Sequence, residues 1–161
     1  MAILFIISVM LVLVYVGFTI WSRRGLPESI SLRVYSLPKG YRRWLWSLWL
    51  WSETMLFSPA LFFSVPEEHH AAAHLFVTSQ LMTAFVPLIK SRLNDVHMSL
   101  VTLSCGFSQL CVLIMSPCVL LSWIPVLMAI PFVSRGRKAF LFETESWLTV
   151  MMCIILKLTA V

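Results

Sequence analysis

The amino-acid sequence predicts an all-α integral membrane protein, a bundle of six transmembrane helices with short loops and both termini outside the cytoplasm. Three observations predict it. Of 161 residues, 60% are hydrophobic and only 12% are charged, about half the roughly 25% charged share of a soluble domain. With a mean hydropathy of +0.90, the apolar residues gather in runs near the ~20 residues that cross a bilayer as a helix. The basic residues fall almost entirely in alternate connectors between those runs. This composition excludes a soluble enzyme.

The first segment, residues 2–21, is uncharged and is followed by Arg23 and Arg24. A cleavable secretory signal carries its charge ahead of the apolar core, so the reversed order reads as a retained helix. A connector, 22–40, contains Pro27 and Pro38. Its Leu26, Ile30, Val34 and Leu37 keep helical spacing, while Ile30, Leu32 and Val34 alternate as in a strand. Of the two, a helix suits a membrane interface better, because open strand edges are costly near hydrocarbon.

The second segment, 41–63, opens with Trp44, Trp46, Trp49 and Trp51, indoles suited to the headgroup boundary, and contains Glu53 and Pro59. The third, 70–89, holds His74, Gln80 and Pro87, and the fourth, 97–115, holds Gly106 and Gln109. In the fifth, 117–133, Pro125 and Pro131 predict a kinked or short helix. The sixth, 139–158, contains Glu143 and Glu145. Such short connectors make neighbouring helices antiparallel, so residues 1–161 read as one transmembrane domain.

Taken alternately, the connectors carry Arg23, Arg24, Arg33, Lys39, Arg42, Arg43, Lys90, Arg92, Arg135, Arg137 and Lys138 on one side and Lys157 alone on the other. The positive-inside rule places the basic side in the cytoplasm and supports an even number of spans. The net charge of +5 is thereby explained as topology, and no nucleic-acid partner is expected. Cys105, Cys111, Cys118 and Cys153 have neither CxxC nor zinc-type spacing and read as small packing residues.

Carboxylates inside apolar runs are the first candidates for chemistry. Glu53 lies midway through its segment, where an ionised side chain costs roughly 3 kcal/mol to insert. Its helical face carries Trp46, Trp49, Phe57 and Ala60. Glu143 and Glu145 are two residues apart and so about 200° apart around a helix. Only one of them can share a cavity with Glu53, and Glu143 is preferred because Trp147 and Met151 continue its face. Their partners must come from other elements, with Arg42, Arg43, Lys90, Arg92 and His97 expected on the same side. With Gln109, these three glutamates form the candidate ion or substrate pathway; the structural alternative is that they merely join helices.

In the fourth segment Asp95, Ser99, Thr102, Gly106 and Gln109 form one stripe, with His97, Ser104 and Ser108 opposite. Polar or small residues on both sides predict a helix buried between others. Asp95 and His97 together form a candidate polar cluster at the cytoplasmic side. His70 and His74, four residues apart, would also allow a zinc site with Glu67 or Glu68 as oxygen ligand, although three protein ligands are usual and His97 is expected at the opposite side. Otherwise no cofactor is expected. No Gly-rich phosphate loop, GxSxG or HExxH is present.

Several phrases taken together resemble a group of small bacterial polytopic membrane proteins: Pro27, Ser29, Ile30 and Ser31 after the first span, Val96 and His97 at the fourth, Glu145 and Trp147 in the last. Where that group has a basic residue before the Val-His pair, this chain has Asp95, and of a Tyr-Tyr pair only Tyr35 is present. The group has no established activity, so the resemblance implies architecture alone; the expected place of the chain is the bacterial cytoplasmic membrane, multi-pass. The bundle also looks loosely like the membrane ceramidase and receptor-like hydrolases, from which it differs by having six expected spans and divided histidines. Three functions are compatible with these readings: a small transporter or channel subunit, a metal-dependent lipid hydrolase, and a non-catalytic accessory subunit of a membrane complex. For the first, the small size implies a homo-oligomer or a larger complex.

Overall fold

The structure is a computed structural model and describes residues 1–23, 29–31, 34–35, 41–89, 95–134 and 137–160. Among the described residues the chain is helical and contains no strand. The helices are α1 (Ala2–Arg23), α2 (Tyr41–Ser64), α3 (His70–Ile89), α4 (Asp95–Met115), α5 (Trp123–Ala129) and α6 (Lys138–Thr159). Short 3₁₀ turns at Glu67–His69, Pro117–Ser122 and Ile130–Phe132 complete it.

Local chemistry explains the irregular points. Pro59 inside α2 removes the N–H that would bond the Met55 carbonyl. Ser58 Oγ donates to that carbonyl instead, at 3.1 Å, so the helix runs through. The run 117–132 meets three prolines and breaks into 3₁₀, α and 3₁₀ pieces, with Pro125 and Pro131 each in a first turn where the ring is tolerated. The short, interrupted helix expected there is observed. At Ile30 and Ser31 the connector forms a turn and at Val34 and Tyr35 a 3₁₀ turn, where the sequence favoured an interfacial helix; Arg24, Pro27, Arg33, Pro38, Lys39, Lys90, Arg92 and Arg135 lie outside the described residues.

Three helical stretches, Glu67–Ile89, Asp95–Met115 and Lys138–Thr159, are long and apolar enough to cross a membrane. Large apolar side chains stand exposed along most helices, among them Ile3, Met10, Phe18, Leu48, Leu75, Leu113 and Ile155. Such a continuous apolar surface suits hydrocarbon better than water.

Packing divides the bundle lengthwise. α4 lies against α3 and α6, and α2 lies against α1, α3 and α6. At one end, Phe57 and Leu61 of α2, Ala73 and Phe76 of α3, Cys111 and Val112 of α4, and Val150 and Ile154 of α6 form a closed apolar core with Phe5 of α1. Late residues of α2, α4 and α6 meet early residues of α1 and α3, as antiparallel neighbours require. The other end of the same five helices is built differently, from indoles, hydroxyls and carboxylates around a cavity.

Candidate functional site

Glu53 ties four helices together. It is 1% exposed, and its Oε1 accepts from Ser8 Oγ of α1 at 3.2 Å and Trp147 Nε1 of α6 at 3.3 Å. Its Oε2 accepts from Gln80 Nε2 of α3 at 3.5 Å. Gln80 Oε1 accepts in turn from Ser104 Oγ of α4 at 2.8 Å, extending the network to a fifth helix. Every donor to Glu53 is neutral.

Glu143 is held by the connector. Ser29 Oγ and Ser31 Oγ each donate to Oε1 at 2.6 Å, while the backbone N–H groups of Ile30 and Ser31 donate to Oε2 at 2.6 and 3.1 Å. A turn makes this geometry, because successive N–H groups converge there on one acceptor, which a continued helix would direct along its axis. The sequence led us to expect a cationic partner from Arg42, Arg43, Lys90, Arg92 or His97; among the described residues Glu143 is bonded by neutral donors alone.

Glu53 and Glu143 line one cavity of about 100 Å³. Since roughly 10–15 Å³ of such space admits one water, it has room for several. Trp46 and Trp49 of α2, Phe76 of α3 and Trp147 of α6 supply much of its wall, and Gln80, Ser31, Ser104, Ser108 and Ser146 its polar positions. Cys105 also lines it, and all four cysteines are free.

Glu145 and Gln109 lie outside this cavity. Glu145 Oε1 accepts from Ser122 Oγ at 2.5 Å. Gln109 Nε2 donates to the Ser146 carbonyl at 3.2 Å and its Oε1 accepts from Trp123 Nε1 at 2.8 Å, so the amide joins α4 to α5 and α6. Of the four residues proposed for a pathway, the fold therefore unites Glu53 with Glu143 on the cavity and sets the side chains of the other two behind its wall, in helix-joining contacts.

Asp95 and His97 stand in different surroundings. Asp95 is exposed in the first turn of α4, where its charge suits the helix dipole. His97 is fully buried, with the Tyr35 ring edge-on at 5.0 Å. The guanidinium of the buried Arg43 lies 5.5 Å from the Tyr35 ring centre. Burial raises the Tyr35 phenol above its ordinary range, against the pull of Arg43. On α4, Ser104 and Ser108 are buried while Ser99, Thr102 and Gly106 are exposed, so this helix has one open face where the sequence predicted none.

His70 and His74 both pack on Phe62, with ring centres 5.3 and 4.6 Å away. His70 Nε2 lies 2.9 Å from the Phe62 carbonyl and 3.0 Å from that of Val65, closing the end of α2, whereas His74 is exposed. Glu67 stands exposed in the preceding 3₁₀ turn. Among the described residues no group of three or more His, Cys, Asp or Glu is placed to hold a metal.

Sequence reasoning missed Ser8, Ser29, Ser31 and Gln80 as site residues. Gln80 is the only side-chain amide of its segment and Ser8 stands in an otherwise apolar turn; both were visible as polar exceptions. The two serines follow Pro27 in the connector, with nothing in the sequence to connect them to Glu143.

No protein-family model, curated protein or solved structure matches the chain. Among the described residues, fold and site thus define a helical protein with helices able to cross a membrane and two carboxylates on one cavity.

Proposed function

We propose that the chain is a small transporter or channel subunit of the bacterial cytoplasmic membrane, multi-pass, with six helical segments crossing the bilayer and both termini outside. The observation that carries this reading is the presence of Glu53 and Glu143 on the wall of one cavity. A carboxylate within a bilayer is costly and marks a substrate, ion or proton path when it borders space that admits water. The confinement of basic residues to alternate connectors supports the topology. At 161 residues the chain works as a homo-oligomer or within a larger membrane complex, with lipid as its main surroundings.

Reconstitution in proteoliposomes tests this reading. Glu53→Gln and Glu143→Gln keep shape and remove titration, at the cost of one accepting oxygen each, and each abolishes pH-dependent flux, whereas Glu145→Gln leaves it intact. Unaltered flux in both cavity variants overturns the proposal. A second reading, an accessory subunit, is favoured by the four hydrogen bonds that fasten Glu143 to the connector. Under it the wild type passes no flux and Glu143→Gln alters only stability.

A further inference from the structure

We infer that the cavity between Glu53 and Glu143 binds a small alkylated ammonium group, of the trimethylammonium type. The inference deepens the transport reading by naming the class of ligand. It stands on the wall chemistry: two carboxylates, the indoles of Trp46, Trp49 and Trp147, and the Phe76 ring, with no Lys, Arg or His among the described lining residues.

The indole N–H groups are already committed. Trp46 Nε1 donates to Tyr15 Oη at 2.7 Å, Trp49 Nε1 to the Leu11 carbonyl at 3.2 Å, and Trp147 Nε1 to Glu53. What these side chains offer a ligand is therefore ring carbon, with one face of Trp49 already stacked on Tyr15 at 4.1 Å. Aromatic rings beside a carboxylate recognise a quaternary ammonium, because the ring quadrupole attracts a cation that demands no hydrogen-bond acceptor.

Other ligand classes fit worse. An anion would meet two carboxylates. A hard metal ion needs about six oxygen ligands, whereas both oxygens of Glu143 already accept two hydrogen bonds each and most of the remaining wall is carbon. An alkylated ammonium sheds water cheaply and needs only charge and rings. At about 100 Å³ the cavity is well below the roughly 300–1,000 Å³ of drug-sized sites, so it takes a single head group.

The test uses the full chain in nanodiscs of phosphatidylethanolamine and phosphatidylglycerol, with intrinsic tryptophan fluorescence as readout. Titration with tetramethylammonium and with choline gives a saturable change, and 3,3-dimethylbutan-1-ol, the neutral isostere of choline, gives none. Glu53→Gln weakens choline binding roughly tenfold or more, about 1.4 kcal/mol per decade; Trp147→Phe, which keeps a ring, weakens it less. Because the choline–isostere contrast is read on the wild type, it stands even if a variant misfolds. Phosphatidylcholine added to the nanodiscs either competes, which assigns a lipid head group as the source, or does not, which assigns a free cation. No saturable response, or an equal response to the neutral isostere, overturns the inference. Cation binding without flux removes the transport reading alone, and proton flux without cation binding removes this inference alone.

Discussion

Ser31 and Glu143, 112 residues apart, are joined twice: the serine hydroxyl donates to Oε1 at 2.6 Å and the serine N–H to Oε2 at 3.1 Å. With Ser29 and Ile30 supplying two further donors, this turn fastens the connector to α6 and closes one side of the cavity. Where that carboxyl group is ionised, each such hydrogen bond is about twice as strong as a neutral one.

Ser31→Ala removes the hydroxyl bond and keeps the N–H bond. It lowers stability by about 1–3 kcal/mol, measured by unfolding in detergent, since the carboxylate loses a donor in a partly buried site. A double-mutant cycle with Glu143→Gln returns a coupling of about 0.5–3 kcal/mol. Simple additivity of the two substitutions would show that the clasp does not form.

Ser58→Ala leaves the Met55 carbonyl opposite Pro59 without its donor. The expected loss is about 1 kcal/mol. Thr102→Ala is the control, because Thr102 Oγ1 only doubles a helical carbonyl contact, to Met98 at 2.9 Å on the exposed face, and it stays within about 0.5 kcal/mol.

His70→Ala frees the Phe62 and Val65 carbonyls at the end of α2 and costs about 1 kcal/mol in thermal unfolding. His74→Ala, at an exposed position, changes stability by less than about 0.5 kcal/mol. Chelator treatment leaves the melting temperature of the wild type unmoved. Tightly held zinc lost in His74→Ala would instead restore the hydrolase reading.

Reporter fusions after Leu37, Ser91 and Ser134 report the cytoplasm, and fusions after Glu68 and at Val161 do not, as the basic asymmetry requires. A cytoplasmic report at Val161 would reverse the proposed topology.

Five of the helical segments were readable in the sequence to within two residues, as the pairs 2–21 against Ala2–Arg23 and 139–158 against Lys138–Thr159 illustrate, while the fifth in chain order, 117–133, is broken around Trp123–Ala129. Hydropathy and proline act locally, and their effect on a helix depends little on distant residues. The 200° between Glu143 and Glu145 was legible for the same reason, as was the continuation of the Glu143 face through Trp147. Which direction each face pointed was proposed from that continuation, and only packing settled it: α6 is rotated so that Glu143 and Trp147 border the cavity and Glu145 reaches Ser122.

Partner choice lay beyond the sequence. A carboxylate inside an apolar run calls for donors, but cations, hydroxyls and backbone N–H groups can all answer that need. Contacts across more than a hundred residues decided for the serine turn. The open face of α4 has a related cause: a threonine such as Thr102 can satisfy its hydroxyl on the carbonyl four residues back, so polarity alone does not compel burial. Helix content follows from forces acting within a turn or two of chain, whereas the site exists only where five helices and a connector converge, and that convergence is a property of the packed bundle.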